Sequence, residues 1–275
     1  MLAYPPKLKR ASPPILRPLL LGLLLGAAAS LLWVLWLPDV TPLKKRPPKT
    51  TAYMELRKSQ SEAKGKKLKL RWTWTAFDAI SEHLKKAVVT AEDDEFWRHD
   101  GVNWAAIRVA YEKNRKVGRF AAGGSTLTMQ LARNLYLSPS KNPLRKAKEI
   151  LIARRLEREL GKRRILELYL NVVEWGDGVF GCEAAARIYY EKSCADLSET
   201  EAVALAVVLP NPRRWNPAKY GSYVERNSKR ILGRIMKADR QRAGDEDVDE
   251  DILVEDEVQS DSTTRNSSSG SALTE

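Results

Sequence analysis

Four carboxylates stand in a row at Glu92-Asp93-Asp94-Glu95, just past the apolar run Ala87-Val88-Val89. On a helix over residues 80–96, Leu84, Val88, Glu92 and Phe96 occupy successive i+4 positions, with Ala87 and Ala91 beside them. The pattern predicts Glu92 on the apolar stripe, with Asp93 and Asp94 turned away from it. A carboxyl on such a face loses hydration, which raises its pKa toward values that serve proton transfer. The plainer alternative is a frayed helix end with Glu92 in water.

A second carboxylate repeats the arrangement. Pro143 suits a helix start, and Glu149, Ile152, Leu156 and Leu160 then share one stripe, with Arg145 one turn before Glu149. Arg ahead of Glu at i,i+4 is the poorer order for helix support, so the pair needs another reason; a buried ion pair without chemistry is one. Two inward carboxylates on separate faces are also what glycosidic chemistry uses, one activating the attacking hydroxyl and the other assisting the leaving side. Between them, Gly123-Gly-Ser-Thr-Leu-Thr-Met-Gln130 permits a tight turn, with Ser125 or Thr126 capping a helix that carries Leu127, Leu131 and Leu135. Helix starts of this kind attract phosphate. With Arg133, Lys141, Arg145 and Lys148 nearby in sequence, a pyrophosphate site is expected here. It is not a nucleotide P-loop, since GxxxxGK[ST] is absent.

These groups must be held by a framework that the rest of the chain describes. The 275 residues allow one domain or two around a sizeable core. Charge is uneven: residues 245–275 hold eleven acids and one arginine, and the first 244 residues carry a net charge of +22. So basic a body points to anionic partners: nucleic acid, acidic lipid or a phosphorylated substrate. Leu19–Leu37 is a 19-residue run without charge, which as a helix spans roughly 28 Å, about the hydrocarbon thickness. Ala27-Ala-Ala29 resembles a signal cleavage site, but cleavage there would leave SLLWVLWL exposed, so an uncleaved signal-anchor is expected. Lys7, Lys9, Arg10 and Arg17 precede it and Lys44, Lys45 and Arg46 follow, which weakens the charge bias. We read residues 1–18 as a basic cytoplasmic tail, 19–37 as the membrane span and 38–75 as juxtamembrane linker and domain entry. Residues 76–237 form a mainly α-helical body, and 238–275 an acidic, Ser-rich tail expected to be disordered. Cys182 and Cys194 lack zinc-site spacing and are either one disulfide or two buried thiols.

Several motifs then match one family in order. Glu92-Asp-Asp-Glu-Phe-Trp-Arg-His-Asp-Gly101 fits EDxxF..H.G, Gly123-Gly-Ser-Thr-Leu-Thr-Met-Gln130 fits GGSTxxxQ, and Arg145-Lys-Ala-Lys-Glu149 fits RKxxE. Lys162-Arg-Arg-Ile-Leu-Glu-Leu-Tyr-Leu-Asn171 and Gly181-Cys-Glu-Ala-Ala-Ala-Arg-Ile-Tyr-Tyr190 follow, and Leu209-Pro-Asn-Pro-Arg-Arg-Trp-Asn-Pro217 closes the series. The chain resembles the monofunctional biosynthetic peptidoglycan transglycosylases of glycosyltransferase family 51, membrane-anchored relatives of the glycosyltransferase domain of bifunctional penicillin-binding proteins. The resemblance implies a lysozyme-like, two-lobed fold whose smaller lobe touches the membrane, and polymerisation of lipid II into glycan strands. It gives Glu92 the proton of the acceptor's 4-hydroxyl and puts Glu149 on the donor side. Asp93, Ser125, Thr126, Gln130, Arg133, Lys141, Arg145 and Lys148 would hold the substrate and its pyrophosphate. Implied partners are lipid II, the growing lipid-linked strand, membrane lipid and other wall-synthesis proteins, with the catalytic body in the periplasm on the bacterial inner membrane. No obligate cofactor is implied; a divalent cation, magnesium or manganese, is allowed near the pyrophosphate. Two departures stand out. Met129-Gln130 replaces a common Gln-Gln, so a contact from the first position is missing. Arg133 and Lys141 stand where the family often has Lys and Arg.

Other patterns lead elsewhere or nowhere. Ser61-Glu-Ala-Lys64 and Ser138-Pro-Ser-Lys141 match the transpeptidase SxxK, but no KTG or SxN partner follows in a usable position. Glu95 and His99 at i,i+4 lack an evident third metal ligand. Nucleic-acid binding fits the charge alone, without a recognition motif and against the anchor. A lytic, lysozyme-like enzyme and a non-catalytic scaffold are the rival functions, separated from polymerisation by what each consumes.

Overall fold

Ten helices and one small sheet make up the described part of the chain, and they fall into two units, each with its own interior. The computed structural model describes residues 16–119, 123–140, 142–219 and 221–241. The expected basic tail before residue 16, the expected disorder from 242 to 275, Phe120 and Lys141 lie outside them.

The first unit holds residues up to Asp78 and Glu95–Ala185. Its first helix, α1 (Leu16–Leu35), is the one described helix long and apolar enough to cross a membrane, and 6% of its apolar window is buried. Residues 38–75, read as linker and domain entry, contain a further helix, α2 (Ala52–Glu62). It begins at Thr51, whose side chain accepts from Met54 N–H, and it seats Met54 in the interior. Helix α4 (Trp104–Val117) is mostly exposed. Helices α5 (Leu127–Tyr136), α6 (Pro143–Leu160) and α7 (Lys162–Val172) pack on one another, while α2 lies on α5 and α1 on α6. Leu131, Ile152, Leu156, Ile165 and Tyr169 are fully buried in this unit.

The sheet belongs to the same unit. Strand β1 (Arg71–Trp72) runs parallel to β3 (Val179–Phe180), which pairs antiparallel with β2 (Glu174–Gly176). Buried Asn171, at the end of α7, accepts from Thr75 N–H at 2.8 Å and donates to Thr75 O at 2.9 Å. Arg57 on α2 grips buried Glu174 through Nε and Nη2. These bonds draw the chain before residue 76 into the fold.

The second unit holds Ala79–Asp94 and residues from Ala186 onward. Helix α3 (Glu82–Glu92) lays Leu84, Ala87 and Val88 against α9 (Glu199–Val208), an almost wholly apolar helix started by a Ser198–Glu201 capping box. A last helix, α10, covers residues 222–241. Lys86 pairs with Asp239, and Arg234 with Asp94 at 2.8 Å, so α10 holds α3 at its middle and just past its C-terminal end. The chain passes between units within α8 (Cys182–Tyr190). Cys182 and Cys194 are buried and not joined in a disulfide, the second of the two expected states.

The end of α3 corrects the sequence reading. Helix was expected through Phe96, but it stops at Glu92, and Asp93 takes φ −165° and ψ 75°. Three further acids at a helix C-terminus would face the partial negative charge of its free carbonyls, and Asp is a poor helix former. Phe96 is still fully buried, on a separate 3-10 turn, Phe96–Arg98. Asp93, expected to turn outward, is buried.

Tyr136 ends α5, and burial, followed by the negative charge of Asp39, pushes its pKa up to about 12 from 10.0. The folded chain thus keeps a proton that the unfolded chain releases first. This stabilisation is complete below pH 10 and disappears as pH climbs through 10 to 12. Denaturant midpoints measured across that window are expected to fall, and Tyr136→Phe to flatten the decline.

Candidate active site

Helix α6 carries one expected carboxylate into the first unit. Glu149, Ile152, Ala153 and Leu156 recur at helical spacing and are all buried, which confines the carboxylate to the packed side. Leu160, expected on the same stripe, is only half-buried. Glu149 has no exposed surface. Arg145 donates from Nη1 to its Oε2, and Lys146 donates from Nζ to its Oε1 at 2.6 Å. Each oxygen therefore has its own cation, the arrangement a buried carboxylate needs to remain charged at tolerable cost. The Lys146 ammonium also donates to Ser125 Oγ at 2.7 Å, joining this cluster to the residue before the α5 cap.

The cap itself is Thr126. Its hydroxyl accepts from Met129 N–H at 3.1 Å and donates to Gly101 O at 2.6 Å, and the side chain is buried. A hydroxyl has one proton to give, so this expected substrate ligand instead fixes the helix start against the loop after the acidic run. That loop is held from a second side. Lys162 donates to His99 O, pairs with Glu157 at 2.8 Å and lies over the Phe96 ring, while Thr128 donates to the same Glu157 oxygen at 2.6 Å. Two glycines are required by the closeness of these pieces. A Cβ at Gly101, where φ is +82°, would stand 2.8 Å from Glu157 Cγ, and one at Gly124 would stand 2.8 Å from Ile107 Cα.

The remaining expected ligands are spread along the same unit. Gln130 is half-buried and its Oε1 accepts from the Tyr169 hydroxyl at 3.1 Å. Arg133 is half-buried, and its buried Nε has no acceptor among the described residues. A buried charged donor without an acceptor is costly, and an arriving anion would relieve that cost. Met129, at the departure from Gln-Gln, is fully buried, so that position faces the interior. Lys148 turns away from Glu149 and donates to Trp33 O at 2.7 Å, its ammonium 4.1 Å from the centre of the Trp33 ring. Burial pushes the Lys148 pKa below its ordinary value. Glu95 pairs with Arg98, and His99 Nδ1 accepts from Gly101 N–H.

Glu92 and Asp93 belong to the second unit. Glu92 is the last residue of α3 and half-buried, and Asp93 follows it in the interior.

Lys146 is the residue the sequence reading missed. The clue was present, since Lys146 stands three residues before Glu149 and therefore on its side of the helix, as Arg145 does at four. Tyr169, which fixes Gln130, had no local clue, and neither did the roles of Glu157 and Lys162, whose further partners Thr128 and His99 are distant in sequence.

Comparison with known proteins gives the family. The family model described as Transglycosylase matches residues 60–236. The "Biosynthetic peptidoglycan transglycosylase" of Aromatoleum aromaticum is 51% identical over 191 residues, covering 70% of this chain and 83% of that protein. Proteins of the same name from Azoarcus sp. and Dechloromonas aromatica are 47% and 44% identical, covering 79% and 82% of this chain and 94% and 96% of their own length.

Proposed function

The chain belongs to the transglycosylase family, and from that membership we propose that it polymerises lipid II into glycan strands with release of undecaprenyl pyrophosphate. It is a peptidoglycan glycosyltransferase of cell-wall synthesis. The observation that carries the finer reading is the buried Glu149 of α6 held by Arg145 and Lys146, with Lys146 reaching Ser125 before α5, a pre-formed cationic site of the kind a leaving pyrophosphate needs.

In this reading Glu92 takes the proton from the 4-hydroxyl of the acceptor N-acetylglucosamine. The freed oxygen forms a bond to C1 of the donor N-acetylmuramic acid from the face opposite the pyrophosphate. As the C1–O bond to phosphate breaks, its electron pair leaves with the pyrophosphate oxygen and the centre inverts. Arg145, Lys146, Arg133 and Lys141 balance the charge that develops there, and Glu149 orients the first two. Ser125 and Gln130 hold the sugar-phosphate portion, and Asp93 orients Glu92. Thr126 builds the helix start on which they depend. Because both Glu149 oxygens are already engaged, the protein supplies cations rather than metal ligands at this point. Magnesium or manganese, if bound near the pyrophosphate, would add positive charge to that supplied by Arg145, Lys146 and Arg133.

Helix α1 crosses the inner membrane once and leaves the body in the periplasm. Helix α4 meets the lipid headgroups, as its exposed Trp104 and Tyr111 and its basic Arg108, Lys113 and Arg115 suit. The test is incubation of the full chain in lipid nanodiscs with lipid II. Strands that lysozyme digests, formed together with undecaprenyl pyrophosphate, are the expected product. Cleavage of finished peptidoglycan with lipid II left intact would replace this reading with a lytic one.

A further inference from the structure

Lys148 sits beside Glu149 in sequence yet takes no part in its cluster. Arg145 and Lys146 precede Glu149 by four and three residues and share its side of α6, whereas the adjacent position is turned about 100° around the helix. The Lys148 side chain is nonetheless buried, at 8% exposure, and its ammonium is occupied twice over: by Trp33 O at 2.7 Å and by the Trp33 ring at 4.1 Å. Trp33 lies in the last turn of α1, where carbonyls have no partner within the helix. A lysine ammonium there completes the helix end and meets the negative end of its dipole.

This contact is one of a series. Val34 is buried beside it, and the turn Thr41–Lys44 packs on α6. Arg164 of α7 donates from Nε to Leu43 O at 2.7 Å, and Lys44 pairs with Glu159 of α6 at 2.9 Å. Leu43 and Val40 are buried. From Trp33 to Lys44 the chain is therefore bound to the helices that carry the site. A slack tether would leave the height of the site above the bilayer undetermined.

We propose that Lys148 is a positioning residue that locks the Glu149 helix to the end of the membrane anchor, so that α1 sets the height of the pyrophosphate site over the lipid surface. The proposal rests on the reading of α1 as a membrane span and of α6 as the helix that bears the site. Its consequence concerns a substrate whose lipid stays in the bilayer: the phosphate must be met at one depth, and the lock supplies that depth.

Two measurements on the full chain in nanodiscs test it. A nitroxide attached at Leu144→Cys, an exposed position on α6, reports depth relative to the lipid phosphates. Lys148→Met and Trp33→Ala are each expected to broaden that depth distribution, and Lys148→Arg, which keeps a cation for the carbonyl and ring, to restore it. The double variant is expected to be no broader than either single one. An unchanged distribution in Lys148→Met would overturn the proposal, whatever the catalytic activity. In the second measurement, Trp33→Ala, which keeps the carbonyl and removes the ring, is expected to raise KM roughly five- to tenfold for bilayer-embedded lipid II, with kcat kept, the size of one lost cation–π contact. A short-chain, water-soluble analogue should keep its KM. Equal losses on both substrates with a lowered unfolding temperature would make the contact merely structural. A wild-type chain that consumes neither substrate would defeat the proposed function, while the depth measurement would still decide the lock.

Discussion

Glu92→Gln is expected to lower strand synthesis from lipid II by roughly 10²–10⁴-fold, the range by which a positioned general base contributes. Gln keeps the shape of the side chain and its capacity to accept a hydrogen bond but cannot take the proton of the acceptor hydroxyl. Folding should be unaffected or slightly improved. Glu92 is half-buried and ends α3, whose place is held by Leu84, Ala87 and Val88 against α9 and by the Lys86–Asp239 and Asp94–Arg234 pairs. Removing a negative charge from a helix C-terminus relieves an unfavourable dipole contact of about 0.3–1 kcal/mol. Strand synthesis and thermal unfolding measured on one preparation test both halves. Normal synthesis in the variant would remove Glu92 from the mechanism.

Glu149→Gln is expected to behave differently, losing activity and stability together. The carboxylate has no exposed surface and each of its oxygens meets a cation. Taking the charge away leaves Arg145 and Lys146 as half-buried cations without a counter-charge. Breaking a buried pair from one side costs about 3–5 kcal/mol, which lowers the unfolding midpoint by roughly 6–15 °C in a chain of this size. Transfer should fall as well, because the cations meant for pyrophosphate lose the group that aims them. Calorimetry checks the first effect and release of undecaprenyl pyrophosphate the second. An unfolding midpoint equal to that of the parent chain would contradict the charge arrangement described for α6.

The helical periodicity of residues 143–160 was legible before any coordinates, because a buried stripe on a long helix leaves a regular mark at i+3 and i+4. Glu149, Ile152 and Leu156 carried it. The same logic overran at α3. Continuing Leu84, Val88 and Glu92 to Phe96 assumed an unbroken helix, whereas the acids at 93–95 oppose the helix dipole and end it. Helix α2 was hidden because its segment is polar, with Met54 as its single buried residue. Lys148 illustrates a further limit. Its acceptor is a backbone carbonyl 115 residues away, and every residue has a carbonyl, so residue type carries no trace of such a bond. Lys162 on the carbonyl of His99 is a second case. Thr126 differs again: capping was readable at that position, and the structure shows it.

Because Glu149 satisfies Arg145 and Lys146 from within, the empty site is never a bare positive hole. Any visiting phosphate must displace an anion already in residence, so small inorganic ions that bring nothing but charge are discouraged. A ligand that also offers sugar and lipid for the protein to grip can compete on better terms. In the proposed reaction the carboxylate would take both cations back as pyrophosphate departs, leaving a cluster with one positive charge uncompensated.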